Sequence, residues 1–180
     1  MPSAIDSPII VIGAGPAGLM AAGQAAAQGA QVGLLEKMPT PALNPGLTGK
    51  GRCNLTNTAP VREFIQAFGP QGRFLQSAFA RFFSEDLRQF LDHLGVATRI
   101  ERGGRVFPVS EDAPLVARTL VKWARSQGVD IRTRTRVVDI TAHQGRVVGV
   151  RVRDREGAEK SVPASQVILS TGGASYPGTG

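Results

Sequence analysis

The stretch from Ile9 to Ala22, IIVIGAGPAGLMAA, constrains this chain of 180 residues more than any other. Ile9, Ile10, Val11 and Ile12 run without alternation, the pattern of a strand buried on both faces in a parallel sheet. Pro8 precedes the run, where a missing N–H does no harm. The chain then reads Gly13-Ala14-Gly15-Pro16-Ala17-Gly18, a G-x-G-x-x-G turn leading straight into an alanine-rich helix. Gly13 permits the tight turn, Gly15 lets a diphosphate approach the backbone, and Gly18 lets the helix pack close to the sheet. Pro16 suits the first helical turn, where its fixed φ is already helical. The N-terminus of such a helix offers free N–H groups and the positive end of its dipole to a phosphate.

A glycine-rich turn alone says little; its context says more. A second apolar run, Gln31 to Leu35, follows Gly29, a suitable glycine just past a helix end. It stops at Glu36, 23 positions after Gly13, close to the offset of about 20 at which an acid accepts hydrogen bonds from ribose hydroxyls. Strand, turn, helix, strand and acid in this order predict a dinucleotide site rather than an ordinary βαβ unit.

With 42% hydrophobic residues, the chain can bury a core and form about one domain. Nowhere does an apolar run reach the roughly 18–20 residues that cross a bilayer. The first ten residues carry Asp6 and no basic group, unlike a secretory signal. Cys53 is the single cysteine, so no intramolecular disulfide forms, which fits a reducing cytoplasm. Of the net charge of +7, residues 1–90 hold +2 (7 basic, 5 acidic) and residues 91–180 hold +5 (14 basic, 9 acidic). That excess is spread out, as on a solvated face, rather than clustered as for nucleic acid. Arg132, Arg134 and Arg136 alternate with threonines and are expected on one exposed strand face.

Residues 38–58 are rich in proline, glycine and asparagine and read as loop. Its centre, GKGRCNLTN (49–57), offers backbone N–H groups, Lys50 and Arg52 to an anion, or else caps itself through Asn54, Thr56 and Asn57. Residues 61–95 read as helical, with Phe74, Phe79, Phe82 and Phe83 as core and a helix start at Ser84. A hairpin is expected about Gly103-Gly104, then a helix from Asp112 towards Gly128. The remainder is strand-like, with an antiparallel meander turning at Gly145 and at Glu156-Gly157. A last apolar strand, Gln166 to Ser170, enters Thr171-Gly172-Gly173. His93 and His143 have no partners at metal-binding or catalytic spacing, so no catalytic residue and no metal site is assigned.

The fingerprint, the loop GKGRCNLTN, GRVFPVSEDA (104–113) and ILSTGGASYPGTG (168–180) together resemble the aminoacetone-oxidase-like, BaiN-type family of FAD-dependent NAD(P) oxidoreductases. These belong to the flavoproteins with two dinucleotide-binding domains. The resemblance implies an α/β, Rossmann-like FAD/NAD(P)-binding domain with a parallel central sheet and an antiparallel β-meander. It implies that Gly13, Ala14, Gly15, Pro16 and Ala17 cradle the FAD pyrophosphate, and that Glu36, with Lys37 beside it, holds the adenosine ribose. Arg52, Cys53 and Asn54 are expected at the phosphates and the flavin side, Cys53 as a free thiol rather than a covalent flavin link. Val137 is expected to present backbone groups to adenine, and Thr171, Gly172 and Gly173 to close over the cofactor.

Members of that family continue past the T-G-G turn, so residues 1–180 are expected to be the N-terminal part of an FAD-binding domain, incomplete at its C-terminus. The implied activity is hydride transfer through flavin N5, with NAD(P)H or a small reduced substrate as donor. Its partner is then a small molecule, not a membrane or nucleic acid. Two alternatives stand beside it: a flavin-dependent RNA-modifying protein, and a nucleotide-binding fragment without turnover.

Overall fold

The computed structural model of the chain describes residues 7–42 and 51–173. Gly49, Lys50 and the segment 174–180, all invoked above, lie outside the described residues. In chain order the elements are β1 (Ile9–Ile12), α1 (Pro16–Ala27), β2 (Val32–Leu35), β3 (Thr56–Asn57), α2 (Val61–Ala67) and α3 (Gln76–Phe79). Then come α4 (Ser84–His93), β4 (Thr98–Glu101), β5 (Arg105–Pro108) and α5 (Ala113–Ser126). The last strands are β6 (Asp130–Arg132), β7 (Arg136–His143), β8 (Arg146–Arg153), β9 (Glu159–Pro163) and β10 (Gln166–Leu169). Two compact units divide them: 7–42 with 117–173, and 51–116.

In the first unit β10, β1, β2 and β6 lie side by side in that order, all parallel. The unalternated runs of β1 and β2 are buried on both faces as expected, with Val11 and Leu34 fully enclosed, whereas β10 lies at the edge with Leu169 exposed. Pro16 opens α1 and Gly29, at φ +88°, follows its end. Gly23 of α1 seats Trp123 of α5; a Cβ there would stand 2.3 Å from the indole ring. Behind the sheet, β7, β8 and β9 form the antiparallel meander, with Gln144 (φ +49°) and Gly145 (φ +75°) making the first turn. Its Val150 and Val152, with Val137 and Val162, pack on Ile10, Ile12 and Leu35. Each such buried side chain contributes roughly 1.5–3 kcal/mol by leaving water.

The three arginines do not share one strand face. β6 ends at Arg132, Arg134 turns the chain at φ +54°, and Arg136 opens β7. A residue in left-handed backbone breaks the alternation that a continuous strand would have kept.

The second unit holds the antiparallel sheet β3-β5-β4, with its hairpin at Gly103 (φ +77°) and Gly104 (φ +72°). Thr56 and Asn57, expected within the loop, pair instead with Val106 and Arg105. Residues 61–95 are broken into α2, a 3-10 turn at Gly69–Leu75, α3 and α4 rather than running as long helix. The break rotates the phenylalanines out of register. Phe79 and Phe83 join Phe64 and Phe68 in a cluster of rings 5.1–6.4 Å apart, while Phe74 is 89% and Phe82 39% exposed. The expectation that these four form core is not met: Phe79 and Phe83 are half-buried in the ring cluster, and Phe74 and Phe82 are exposed. α4 starts at Ser84 as expected; the Phe83 N–H donates to Asp86 Oδ2 (2.7 Å). Among the described residues no helix is long and apolar enough to cross a membrane.

Candidate dinucleotide site

β1 and β10 are neighbours, but the chain leaving β1 goes to β2 on one side while β10 lies on the other. Such a reversal of strand order opens a crevice at the carboxyl ends of the strands, where α/β folds bind ligands. The two turns that follow these strands, at Gly13 and Ser170, meet there. Gly13 has φ +99°, and a Cβ on it would lie 2.6 Å from the Ser170 carbonyl oxygen. A Cβ on Gly18 would lie 1.9 Å from the Gly13 carbonyl oxygen and 2.6 Å from Ser170 Oγ. Both glycines are therefore required by contact. Gly15 differs: its φ is −73°, and a Cβ there would meet nothing within 4 Å. It leaves open the side from which a diphosphate would approach.

Ser170 lies within the predicted last strand, but it carried no predicted role. Its Oγ is 2.8 Å from the Ile12 carbonyl oxygen and 2.9 Å from that of Gly13, so its hydroxyl proton joins the two turns. The sequence signal was a hydroxyl between an apolar run and T-G-G.

Glu36 ends β2, and its backbone N–H donates to the Arg132 carbonyl (2.9 Å). Its Oε2 accepts the Ala14 N–H and its Oε1 the Met38 N–H, both at 2.8 Å. The acid thus fastens the glycine turn to the end of β2 even without a ligand. Each carboxylate oxygen keeps a further lone pair for a ribose hydroxyl. Ala14 differs from its expected part, because its N–H is committed to Glu36. The N–H groups of Ala17 and Gly18, in the first turn of α1, have no carbonyl within the helix and suit a phosphate.

A cleft of about 250 Å³ opens at this place. It gathers Gly13, Glu36, Lys37, Val137 and Thr171 from the expected set, together with Ile12, Leu35, Thr135 and Arg136. The Thr135 N–H donates to the Glu36 carbonyl (2.8 Å), which brings the start of β7 to the acid. Gly172 follows Thr171 with φ +83°, and a Cβ on Gly173 would meet open space.

Arg52, Cys53 and Asn54 belong to the second unit. The Arg52 Nη1 donates to Glu101 (3.0 and 3.2 Å) and lies 3.5 Å from Glu111, while its guanidinium covers the Phe107 ring at 4.2 Å. Arg99 pairs with the same two glutamates. The hydrogen bond from Arg99, and then that from Arg52, hold the Glu101 carboxyl below its ordinary range. Cys53 is buried at φ +64° and forms no disulfide. The Asn54 amide nitrogen reaches the carbonyls of Thr56 (3.1 Å) and Val106 (3.3 Å), and Asn57 bonds Gly103 and Ala59. These asparagines cap their own loop. His93 is exposed, with Nδ1 2.6 Å from the Gln89 carbonyl oxygen.

The HI0933-like protein Rossmann domain matches residues 7–180 of this chain. The chain belongs to that family. As an HI0933-like Rossmann domain it is 33% identical over 166 residues to the 3-dehydro-bile acid delta(4,6)-reductase of Clostridium scindens, covering 91% of this chain and 38% of that protein. It is 29% identical to the ribosomal RNA dihydrouridine synthase of Escherichia coli, covering 95% of this chain and 40% of that one. Among solved structures, the open conformation of a flavocytochrome c3 fumarate reductase matches with a TM-score of 0.65 and 25% identity, over 93% of this chain and 34% of that one. The HI0933-like domain thus spans about two fifths of the curated relatives it matches.

Proposed function

We propose that residues 1–180 are the N-terminal part of the FAD-binding domain of a cytoplasmic, flavin-dependent oxidoreductase that acts on a small molecule. One observation carries the reading most: the crevice beside β1, where an open Gly15, the α1 N-terminus and Glu36 stand ready for diphosphate and ribose. The family and the flavocytochrome likeness support FAD as the dinucleotide. When bound, FAD supplies hydride transfer through N5, with NAD(P)H or a small reduced substrate as donor. This chain's residues bind and orient it. Gly13, Gly15, Pro16 and Ala17 form the turn around the diphosphate, with Ala14 holding that turn to Glu36. Glu36, flanked by Lys37, takes the ribose, Val137 lies at adenine, and Thr171, Gly172 and Gly173 close the second side.

The visible absorbance spectrum of the purified protein, with mass spectrometry of what heat releases, tests this. Oxidised-flavin bands and intact FAD are the expected result. A colourless protein that also refuses added FAD would overturn it.

A second reading, a flavin-dependent enzyme that modifies RNA, is favoured by the Escherichia coli relative and by the net charge of +7. It is the weaker one, since the excess charge is dispersed along the chain rather than clustered. Tight RNA binding that persists at physiological salt would favour it.

A further inference from the structure

The wall of the cleft includes a cation, Arg136, whose side chain has no partner among the described residues. Arg134 turns the chain and the Thr135 N–H is held on the Glu36 carbonyl, so β7 begins with Arg136 beside the acid that ends β2. Val137 packs on the apolar cluster of Ile10, Leu35 and Val150. Strand alternation then turns its neighbour Arg136 to the opposite side.

Across the ladder Arg136 is paired with Arg153. Like charges directly opposite each other destabilise a sheet. Glu159 neutralises Arg153 at 2.6 Å and lies 3.4 Å from Arg151, which leaves Arg136 as the member of the pair without an acid. Glu36 forms no ion pair with Arg136; its two oxygens each accept a backbone N–H. Among the described residues the exposed Arg136 side chain has neither a hydrogen bond nor an ion pair, so its guanidinium is available to a ligand in the cleft.

We infer that Arg136 lies flat against the adenine of the bound dinucleotide and is a specificity-determining residue for its adenosine half. The inference rests on the dinucleotide reading above. The diphosphate belongs to the glycine turn and the ribose to Glu36, which leaves the base at Val137 and Arg136. A guanidinium suits that place, because it is planar, weakly hydrated and stacks on aromatic faces, whereas an ammonium is a compact point charge.

The test compares the wild-type protein with Arg136→Ala and Arg136→Lys, each freed of flavin, titrated with FAD and with ADP. Both variants should weaken FAD and ADP by a common factor of roughly five- to tenfold, since both ligands carry the adenosine. The flavin-free Arg136→Ala protein should melt no lower than wild type, because the exposed side chain makes no bond within the protein. An Arg136→Lys protein with wild-type affinity would overturn the inference by pointing to a charge on phosphate. So would unchanged affinity in Arg136→Ala, or a lower melting temperature, which would mark a structural part. A wild-type protein that binds neither FAD nor ADP would overturn the dinucleotide reading, and this inference with it.

Discussion

At Glu36 one carboxylate serves both the protein and the ligand proposed for it. Replacing Glu36 with arginine removes the acceptor of the Ala14 and Met38 N–H groups and places a cation at the ribose. FAD binding should weaken by about 1.5–3 kcal/mol, the range of charge-assisted hydrogen bonds, as read by flavin titration. Unchanged affinity would misplace the ribose. The glycines separate structure from binding more cleanly. Gly18→Ala drives a Cβ into the Gly13 carbonyl, so the flavin-free protein should lose about 1–3 kcal/mol of stability in denaturant unfolding. Gly15→Ala meets no atom of the protein, so its flavin-free stability should stay within about 0.5 kcal/mol of wild type while FAD affinity falls. These roles were legible because each glycine follows from a spacing. Ser170 was not, because a hydroxyl joining turns 158 residues apart leaves no local pattern.

Among the elements, the β4–β5 hairpin and the Arg52 loop are held together by charge. Glu101 accepts from Arg99 and Arg52, and both keep its carboxyl below the ordinary range. A carboxylate with a depressed pKa adds stability that is present above its unfolded value of about 4.3 and is lost as pH falls through the folded value. The melting temperature should therefore drop on acidification below about pH 4, and Glu101→Gln should flatten that acid limb while lowering the neutral plateau. An acid limb unchanged in the variant would remove Glu101 from the cause. The elements themselves were readable where one period dominates: the apolar runs of β1, β2 and β10, the hairpin glycines, and the meander. The helical reading of residues 61–83 missed the 3-10 turn over Gly69–Leu75, where Gly69-Pro70 and Gly72 tighten the chain. The same break left Phe74 outward. Glu101 as the partner of Arg52, 49 positions away, could not be read from spacing.

For the whole molecule, the net charge of +7 supports only weak, general attraction to polyanions. RNA retention seen at about 50 mM salt should disappear by about 200 mM, measured by filter binding across that range. Persistence at the higher salt would revive the RNA reading. The parallel sheet was legible in outline from its three unalternated runs, but its order was not. That β10 lies against β1, setting the last strand at the sheet edge beside the first, depends on contacts that no window of sequence contains.

This pairing also has a consequence in time. β1 leaves the ribosome well before β10, yet one of its two edges stays bare until residues 166–169 have been made. Closing so long a stretch of chain is slow, because its entropy is lost before the contact is gained. Ser170, which fastens the glycine turn, arrives at the same moment. A nascent chain is thus unable to hold its nucleotide early, and completing the sheet and becoming able to take up cofactor are one late event.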